Sequence, residues 1–243
     1  MTKNQFVLAP EILTRIPGIR ILLFTLHAVS QSDTTLQSKC QELLNNCWRD
    51  CGALFNGPTY ANVQSHPQLA AWRDCFKSLG ISVKKHVCSA ESLAKRAAKD
   101  PSPRSINPLV DFYNAISIRH LVPFGAFDRK DLEGKCMSLR FTKEGDTFMP
   151  LDGEQAEQLP AGEAAYICEP GTVITRHINY KQSKFALIGD ESQDVVMMAE
   201  LLPSVDDAAL DKLANDLKEQ CKQLFNQEID LKIITTGGEI VSY

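Results

Sequence analysis

The chain has 243 residues, of which 44% are hydrophobic and 23% are charged. This composition is typical of an ordinary globular protein, and it excludes intrinsically disordered, collagen-like and coiled-coil chains. The formal net charge of −4 gives the whole molecule no general attraction to nucleic acid, so such an attraction requires a local basic surface.

The first third of the chain predicts one buried strand followed by three helices. The apolar run Ile19–Ala28 predicts the strand because it is rich in β-branched and aromatic residues. It is shorter than the roughly 20 residues that span a bilayer. Because Met1–Pro10 contain no signal-peptide core, we expect a cytoplasmic protein. Capping residues and prolines predict helices over residues 33–51, 67–79 and 90–99.

The rest of the chain predicts one more buried helix, several strands and a terminal helix–strand unit. Asn107 and Pro108 suit the first turn of a helix that continues with apolar residues. From Met137 onward the pattern changes towards period two, which predicts strands. These predicted strands cover residues 137–141, 148–150, 164–168, 172–175, 184–188 and 195–202. Asp206 begins a long amphipathic helix, and alternating apolar residues at 229–233 predict a last strand.

This order of elements predicts an α+β fold with mixed sheets and packed helices. No linker clearly divides the chain, so we expect a single domain over residues 1–243. Within it we distinguish an N-terminal α/β part (1–103), a β-rich core that carries the motifs (104–202) and a C-terminal helix and strand (203–243).

The cysteines are predicted to be reduced thiols, mostly buried, because the chain carries no export signal. They are Cys40, Cys47, Cys51, Cys75, Cys88, Cys136, Cys168 and Cys221. No Cys-x-x-Cys pair is present, and no histidine shares the helical face of the first three. We therefore expect neither a metal site nor a cofactor.

The helix that begins at Asn107 carries three polar side chains on one face. Asn107, Asp111 and Asn114 are spaced at i, i+4 and i+7, while the other faces are apolar. Buried carboxylates and amides must be paired with protein or ligand groups. Capping of the helix accounts for Asn107. For Asp111 and Asn114, a ligand-binding role and a structural network both remain open.

Two later segments combine residues that can carry chemistry. Arg119–Asp128 is predicted to be a loop that holds His120, and Thr175–Ser183 mixes basic residues with His177, Asn179 and an aromatic side chain. Such a mixture can hold phosphate and stack a base. The alternative is that these are hydrogen-bonded core residues or solvated surface residues.

A basic stretch precedes the Asn107 helix. From Arg73 to Arg104, eight basic residues outnumber three acidic ones. A local patch of this kind can bind phosphate whatever the total charge, although a solvated surface is the alternative. We expect tRNA contacts from Lys84, Lys85, Lys95, Arg96, Lys99 and Arg104.

Five motifs, in order and spacing, resemble the editing domain of the bacterial phenylalanyl-tRNA synthetase beta subunit, the B3/4 domain. They are Arg104–Asn114, Pro123–Asp128, Leu132–Gly134, Lys143–Thr147 and Leu151–Gly153. The N-terminal third and Arg176–Gln182 are more similar to freestanding relatives of that domain. The resemblance extends from about Pro17 to about Leu202 and implies a B3/4 editing-domain fold.

The resemblance implies a trans-acting hydrolase of mischarged aminoacyl-tRNA. In the synthetase, the domain removes tyrosine from phenylalanine tRNA, whereas freestanding relatives have been linked to removing canavanine, an arginine analogue, from arginine tRNA. The family's pocket histidine is Gly125 here, and its later Gly-rich segment with a pocket glutamate is replaced by Arg176–Ser183. We therefore expect canavanyl-tRNA(Arg) as the substrate, with another mischarged pair such as Tyr-tRNA(Phe) as the alternative.

The same resemblance suggests roles for individual residues. Asn114 matches an asparagine of the family's pocket, and catalytic groups are expected among Asn114, His120, His177 and Asn179. Substrate contacts are expected from Asn107, Asp111, Gly125, Phe127, Asp128, Arg176, Lys181 and Gln182, with Asp111 or Asp128 as the carboxylate for a guanidinooxy group. The expected partners are mischarged tRNA and, as an option, a synthetase, with no membrane. A noncatalytic tRNA- or synthetase-binding module and a small-ligand sensor are the competing hypotheses.

Overall fold

The computed structural model describes residues 4–243. The helices are α1 (Pro10–Arg15), α2 (Thr34–Asn56), α3 (Pro67–Ser78), α4 (Ser89–Ala97), α5 (Pro108–His120), α6 (Arg129–Leu132) and α7 (Asp207–Phe225). The strands are β1 (Gln5–Leu8), β2 (Arg20–Leu26), β3 (Phe124–Asp128), β4 (Cys136–Phe141), β5 (Thr147–Phe148), β6 (Glu157–Gln158), β7 (Ala164–Cys168), β8 (Thr172–Val173), β9 (Thr175–Arg176), β10 (Lys181–Gln182), β11 (Val195–Leu201), β12 (Lys232–Ile234) and β13 (Ile240–Ser242).

A four-stranded antiparallel sheet, in the order β12-β2-β11-β3, lies at the centre of the molecule. All seven residues of β11 are buried, so its two faces both pack against protein. Because side chains alternate along a strand, Met197 and Ala199 pack with residues of α5 and α7 on one face. Val196 and Met198 pack on the other face, in the cluster that contains Tyr166 of β7. Glu200 alternates with this second set and faces the same way.

The second sheet has seven strands in the order β13-β1-β4-β7-β8-β5-β6. Beside its core, Arg140 bonds to Asp146 at 2.7 Å and to Glu169 at 2.7 Å, which pairs a buried guanidinium with two carboxylates. Strands β9 and β10 form a separate two-stranded hairpin, with Arg176 opposite Lys181. The hairpin follows β7 and β8 closely along the chain, and this places it beside the face of β11 that carries Glu200.

Helix α5 forms for the reasons that its sequence suggests. The side chain of Asn107 accepts a hydrogen bond of 2.9 Å from the backbone N–H of Val110, and Pro108 occupies the first turn. Most of the helix is buried because α5 packs against α2, β3 and α4. The residue that follows the helix, Leu121, adopts the left-handed conformation at φ 51°, which lets the chain turn directly into β3.

The structure differs from the predicted elements in several places. Residues predicted as a loop before Asp128 include β3, which pairs with β11 and completes the sheet. The strand predicted over 184–188 is absent from the described residues, because Ala186 lies in a turn at φ 56° and its carbonyl accepts from the backbone N–H of Asp128. Strand β1 and helix α1, at the start of the chain, were not predicted, and neither were the short elements α6, β6, β10 and β13.

The predicted fold class agrees with the structure. The protein is α+β, with mixed sheets and packed helices, and this prediction is confirmed. The eight cysteines are free thiols, and six of them are buried, as predicted. Within residues 4–243, no helix is both long enough and apolar enough to cross a membrane.

Candidate functional site

A cavity of about 280 Å³ lies between the two sheets, the hairpin, α4 and α5. Strand β11 contributes Met198 and Glu200, and β7 contributes Tyr166. These side chains form the floor, since Glu200 is 5% exposed and Tyr166 is 1% exposed. Arg96 and Tyr180 form part of the rim, since both are exposed to solvent. The cavity is thus closed at the β11 end and open towards α4 and the hairpin.

Glu200 is the buried carboxylate at this floor. Its Oε1 accepts a hydrogen bond of 2.8 Å from the Tyr166 hydroxyl, and its Oε2 accepts one of 3.1 Å from Nδ2 of Asn179. Burial raises the pKa of Glu200 to about 7, although both hydrogen bonds act in the opposite direction. A carboxylate has about four acceptor positions, so Glu200 keeps capacity for a ligand that donates hydrogen bonds.

The turn between β9 and β10 places Asn179 and Tyr180 at the cavity. His177 and Ile178 both have positive φ, at 47° and 65°, a conformation that a β-branched residue rarely adopts. The neighbouring structure fixes this turn, because the N–H of Ile178 donates to the carbonyl of Ala164 at 2.8 Å. In addition, the N–H of His177 donates to Oε1 of Glu163 at 2.9 Å. Strained backbone of this kind is often found at functional sites.

Six of the residues predicted to act at the site line the cavity. They are Asn114, Gly125, Phe127, Asn179, Lys181 and Gln182. The side chain of Asn114 makes no hydrogen bond to another residue in the described range 4–243, so its amide is available to a ligand. A Cβ built on Gly125 would meet no atom within 4 Å, so the absent side chain leaves room in the cavity. Their catalytic or binding roles stay predictions.

The structure assigns structural roles to Asn107 and Asp111, which were predicted to bind substrate. Asn107 caps α5, as described above. Asp111 is 0% exposed and faces away from the cavity, where its Oδ1 accepts from the backbone N–H of Ile106 at 2.9 Å. Its Oδ2 accepts from the hydroxyl of Ser105 at 2.5 Å and from Nε2 of Gln37 at 3.0 Å. The network interpretation therefore applies to Asp111.

The structure does not bring His120 or Asp128 to the cavity. Nε2 of His120 lies 2.7 Å from Oδ2 of Asp216 on α7, in a separate depression of the surface. Asp128 caps α6 by accepting from the N–H of Lys130 at 2.9 Å, and it also accepts from the hydroxyl of Ser192 at 2.5 Å. For this reason, our proposal uses neither His120 as a base nor Asp128 as a carboxylate for the substrate.

Arg176 and His177 support the hairpin and do not line the cavity. Nη2 of Arg176 lies 2.7 Å from Oε2 of Glu163, and Nδ1 of His177 lies 3.2 Å from Oε1 of the same carboxylate. Burial lowers the pKa of His177, against the opposing charge of Glu163. The pair therefore anchors the turn that presents the next residues, Asn179 and Tyr180.

The predicted tRNA contacts have three kinds of surroundings. Lys84, Lys85, Lys99 and Arg104 are exposed and make no ion pair within residues 4–243. Nζ of Lys95 lies 2.6 Å from Oε1 of the fully buried Glu91, which also pairs with Arg73 at 2.7 Å. Lys95 is thus committed to a buried carboxylate. Arg96 lies over the ring of Trp48 and lines the cavity.

Glu200 and Tyr166 were not singled out from the sequence. Each lies in an apolar strand, Ala164–Cys168 or Val195–Leu201, and the two residues are 34 positions apart. The available signal is a single glutamate within a strand of otherwise apolar residues, since an isolated buried charge requires a partner or a ligand. Within residues 4–243, no group of three His, Cys, Asp or Glu side chains is placed to hold a metal ion.

A protein-family model, the B3/4 domain, matches residues 71–241 of the chain. The chain belongs to the B3/4 domain family. This membership confirms the resemblance that the motifs indicated. No curated protein matches the chain.

Among solved structures, the chain is similar to an N-terminal fragment of the phenylalanyl-tRNA synthetase beta subunit from Pyrococcus horikoshii. The identity is 9% and the TM-score is 0.42. The similarity covers 96% of this chain and 51% of the fragment, so the chain spans about half of that fragment's length.

Proposed function

We propose that this B3/4 domain protein hydrolyses the ester bond of a mischarged aminoacyl-tRNA in trans. The observation that carries the proposal is a cavity with a buried carboxylate at its floor and basic and aromatic side chains at its rim. A volume of about 280 Å³ is at the small end of ligand pockets. An amino acid side chain can therefore enter, while the nucleotide to which it is esterified stays at the rim.

The chemistry demands little of the protein, because an aminoacyl ester is already activated. Water adds to the ester carbonyl, the bond between the carbonyl carbon and the ribose oxygen breaks, and a proton from the water passes to the leaving ribose oxygen as the amino acid is released. A donor that stabilises the oxyanion is the main requirement. Asn114 is our candidate, since its amide lines the cavity and is unengaged within the described residues. The vicinal hydroxyl of the terminal ribose can assist in positioning the water.

Glu200 selects the side chain in this proposal, and a guanidinooxy group fits it. A group with several N–H donors can bond to a carboxylate in a bidentate manner. The electronegative oxygen makes a guanidinooxy group much less basic than the guanidinium of arginine, which does not deprotonate in proteins. Such a group can enter the desolvated cavity in neutral form and share a proton with Glu200, whose pKa is about 7. Arginine must enter with its full charge, which supports canavanyl-tRNA(Arg) as the substrate over arginyl-tRNA(Arg).

The test is release of labelled amino acid from a panel of charged tRNAs that includes canavanyl-tRNA(Arg), arginyl-tRNA(Arg) and tyrosyl-tRNA(Phe). We expect hydrolysis of the canavanyl ester well above the spontaneous rate. The variant Glu200→Gln keeps the size of the side chain but removes the charge, so we expect its kcat/KM to fall about 100-fold or more. Glu169→Gln is the matched control, because Glu169 pairs with Arg140 outside the cavity.

Each outcome of this experiment has a clear meaning. Glu169→Gln should lose stability while its folded fraction hydrolyses the ester normally. Release of tyrosine from tyrosyl-tRNA(Phe) alone would keep the deacylase proposal and reject the guanidinooxy substrate. Binding of tRNA without release from any member of the panel would reject hydrolysis in favour of a noncatalytic tRNA-binding module.

A further inference from the structure

Tyr180, which lines the cavity, belongs to a cluster of three aromatic rings that we call the aromatic rim (His86, His177 and Tyr180). The ring centroids of His86 and Tyr180 are 4.5 Å apart in an edge-to-face arrangement, and those of His86 and His177 are 4.6 Å apart. Tyr180 is 37% exposed and lines the cavity. One tyrosine ring is therefore held in place by its neighbours while part of it remains open to solvent.

The aromatic rim is fixed in position before any ligand binds. Tyr180 follows the strained turn at His177 and Ile178, and its backbone N–H donates to the carbonyl of Arg176 at 3.1 Å. Burial lowers the pKa of both His86 and His177, so the two rings are neutral near pH 7 and do not repel each other. A fixed ring loses little conformational freedom when it binds a partner.

Cations lie next to the aromatic rim along the chain on both sides. Lys84 and Lys85 directly precede His86 and are exposed, and Lys181 follows Tyr180 and lines the cavity. Arg96 is exposed at the same opening. Lys181 is the only one of these four with an ion pair among the described residues, at 3.6 Å from the exposed Asp152. Aromatic faces flanked by cations are characteristic of surfaces that bind single-stranded nucleic acid.

We propose that Tyr180, supported by His86, is the stacking platform for the 3′-terminal base of a single-stranded RNA end, with Lys84, Lys85 and Lys181 contacting the phosphates. The proposal rests on the proposed function, since it names the surface that holds the nucleotide while the amino acid occupies the cavity. A base fits this surface because every base offers a π-face. Tyr180 acts as a binding residue, separate from the groups assigned to the ester.

The experiment measures the binding of fluorescein-labelled single-stranded RNA that ends in CCA and carries no amino acid. We expect Tyr180→Ala to weaken binding about 10-fold and Tyr180→Phe to remain within about threefold of the wild type, because phenylalanine keeps the aromatic face. Tyr60→Ala is the matched control. Tyr60 also packs against a histidine ring, with centroids of Tyr60 and His66 4.9 Å apart, but it does not line the cavity.

A second RNA, which lacks only the terminal base, separates stacking from general loss of affinity. The wild type should bind this abasic RNA about 10-fold more weakly than the intact RNA, and Tyr180→Ala should bind both RNAs equally. Any of four results would overturn the proposal. The loss from Tyr180→Ala and the loss from the abasic RNA could multiply, or Tyr180→Ala could bind as tightly as the wild type. The wild type could also fail to bind the RNA, or bind a blunt duplex equally well. Thermal unfolding verifies that each variant is folded. Because these probes contain no ester, failure of hydrolysis is distinguishable from failure of stacking.

Discussion

The raised pKa of Glu200 follows from the residues that surround it. It lies on a strand whose seven residues are all buried, and its two partners, Tyr166 and Asn179, are uncharged hydrogen-bond donors. Within residues 4–243, no cation forms an ion pair with it. Uncharged donors compensate only part of the cost of burying a carboxylate. The site therefore keeps an uncompensated acceptor where a ligand's side chain would end.

The raised pKa of Glu200 makes the stability of the protein depend on pH. The pKa of Glu200 is raised from 4.5 to about 7, so the native state retains a proton that the unfolded chain releases between these values. The unfolded state then binds fewer protons, and the free energy of unfolding falls as pH rises through this window. Glu200→Gln removes that loss. We expect the variant to gain up to about 3 kcal/mol over the wild type at about pH 8 and little at about pH 4.

Chemical denaturation at a series of pH values measures this difference. Glu169→Gln is a control of opposite sign, because hydrogen bonds from Arg140 and Ser138 outweigh burial and lower the pKa of Glu169. In the wild type, the charged Glu169 adds to the free energy of unfolding at pH values above its unfolded pKa, and this contribution is lost on acidification. Near neutral pH, Glu169→Gln should therefore have a lower free energy of unfolding than the wild type. A gain from Glu200→Gln that stays constant between acid and alkaline pH would contradict the raised pKa.

At the scale of an element, α5 separates a structural carboxylate from a candidate catalytic amide. Asp111 and Asn114 are three residues apart, yet Asp111 is fully buried with three donors while Asn114 lines the cavity. Asp111→Asn places N–H groups against existing donors, so we expect it to lose about 1–3 kcal/mol of stability. Its folded fraction should hydrolyse the ester at a near-normal rate.

Asn114→Ala is expected to have the opposite profile. It removes a side chain with no hydrogen bond to another described residue, so the melting temperature should change little. The rate should fall about 10²-fold if the amide stabilises the oxyanion, since this is the usual effect of losing one such donor. Melting temperature and deacylation rate are measured on the same preparations. A normal rate in Asn114→Ala would remove this residue from the mechanism.

The sequence predicted the elements whose signals are local and missed those that depend on distant partners. Asn107 and Pro108 mark the start of α5 within a few residues, and the helix begins where they indicate. Strand β3 was taken for a loop because its glycine-containing sequence is stabilised by pairing with β11, about 70 positions further along the chain. The floor of the cavity was missed for the same reason, since only the fold brings Glu200 to Tyr166. By contrast, the spacing that brings Asn114 to the cavity is internal to one helix.

At the scale of the whole molecule, charge is distributed unevenly along the chain. The net charge is −4, and nine acidic residues but only two lysines lie between residues 190 and 219. The exposed lysines Lys84 and Lys85 precede α4, whose first turn reaches the cavity through Ser89. Local charge near the cavity, and not the total, should therefore govern binding of tRNA.

Two double variants with the same change in total charge test this view. Lys84→Glu with Lys85→Glu should weaken tRNA binding, and it should reduce the dependence of log Kd on log salt by about 1–2, because two phosphate contacts no longer release counterions. Lys212→Glu with Lys218→Glu alters exposed lysines of α7 and should leave affinity and salt dependence close to those of the wild type. Titration of labelled tRNA at several salt concentrations gives both quantities. Equal losses in the two double variants would mean that binding follows total charge, and the basic segment before α4 would then have no specific role in holding the tRNA.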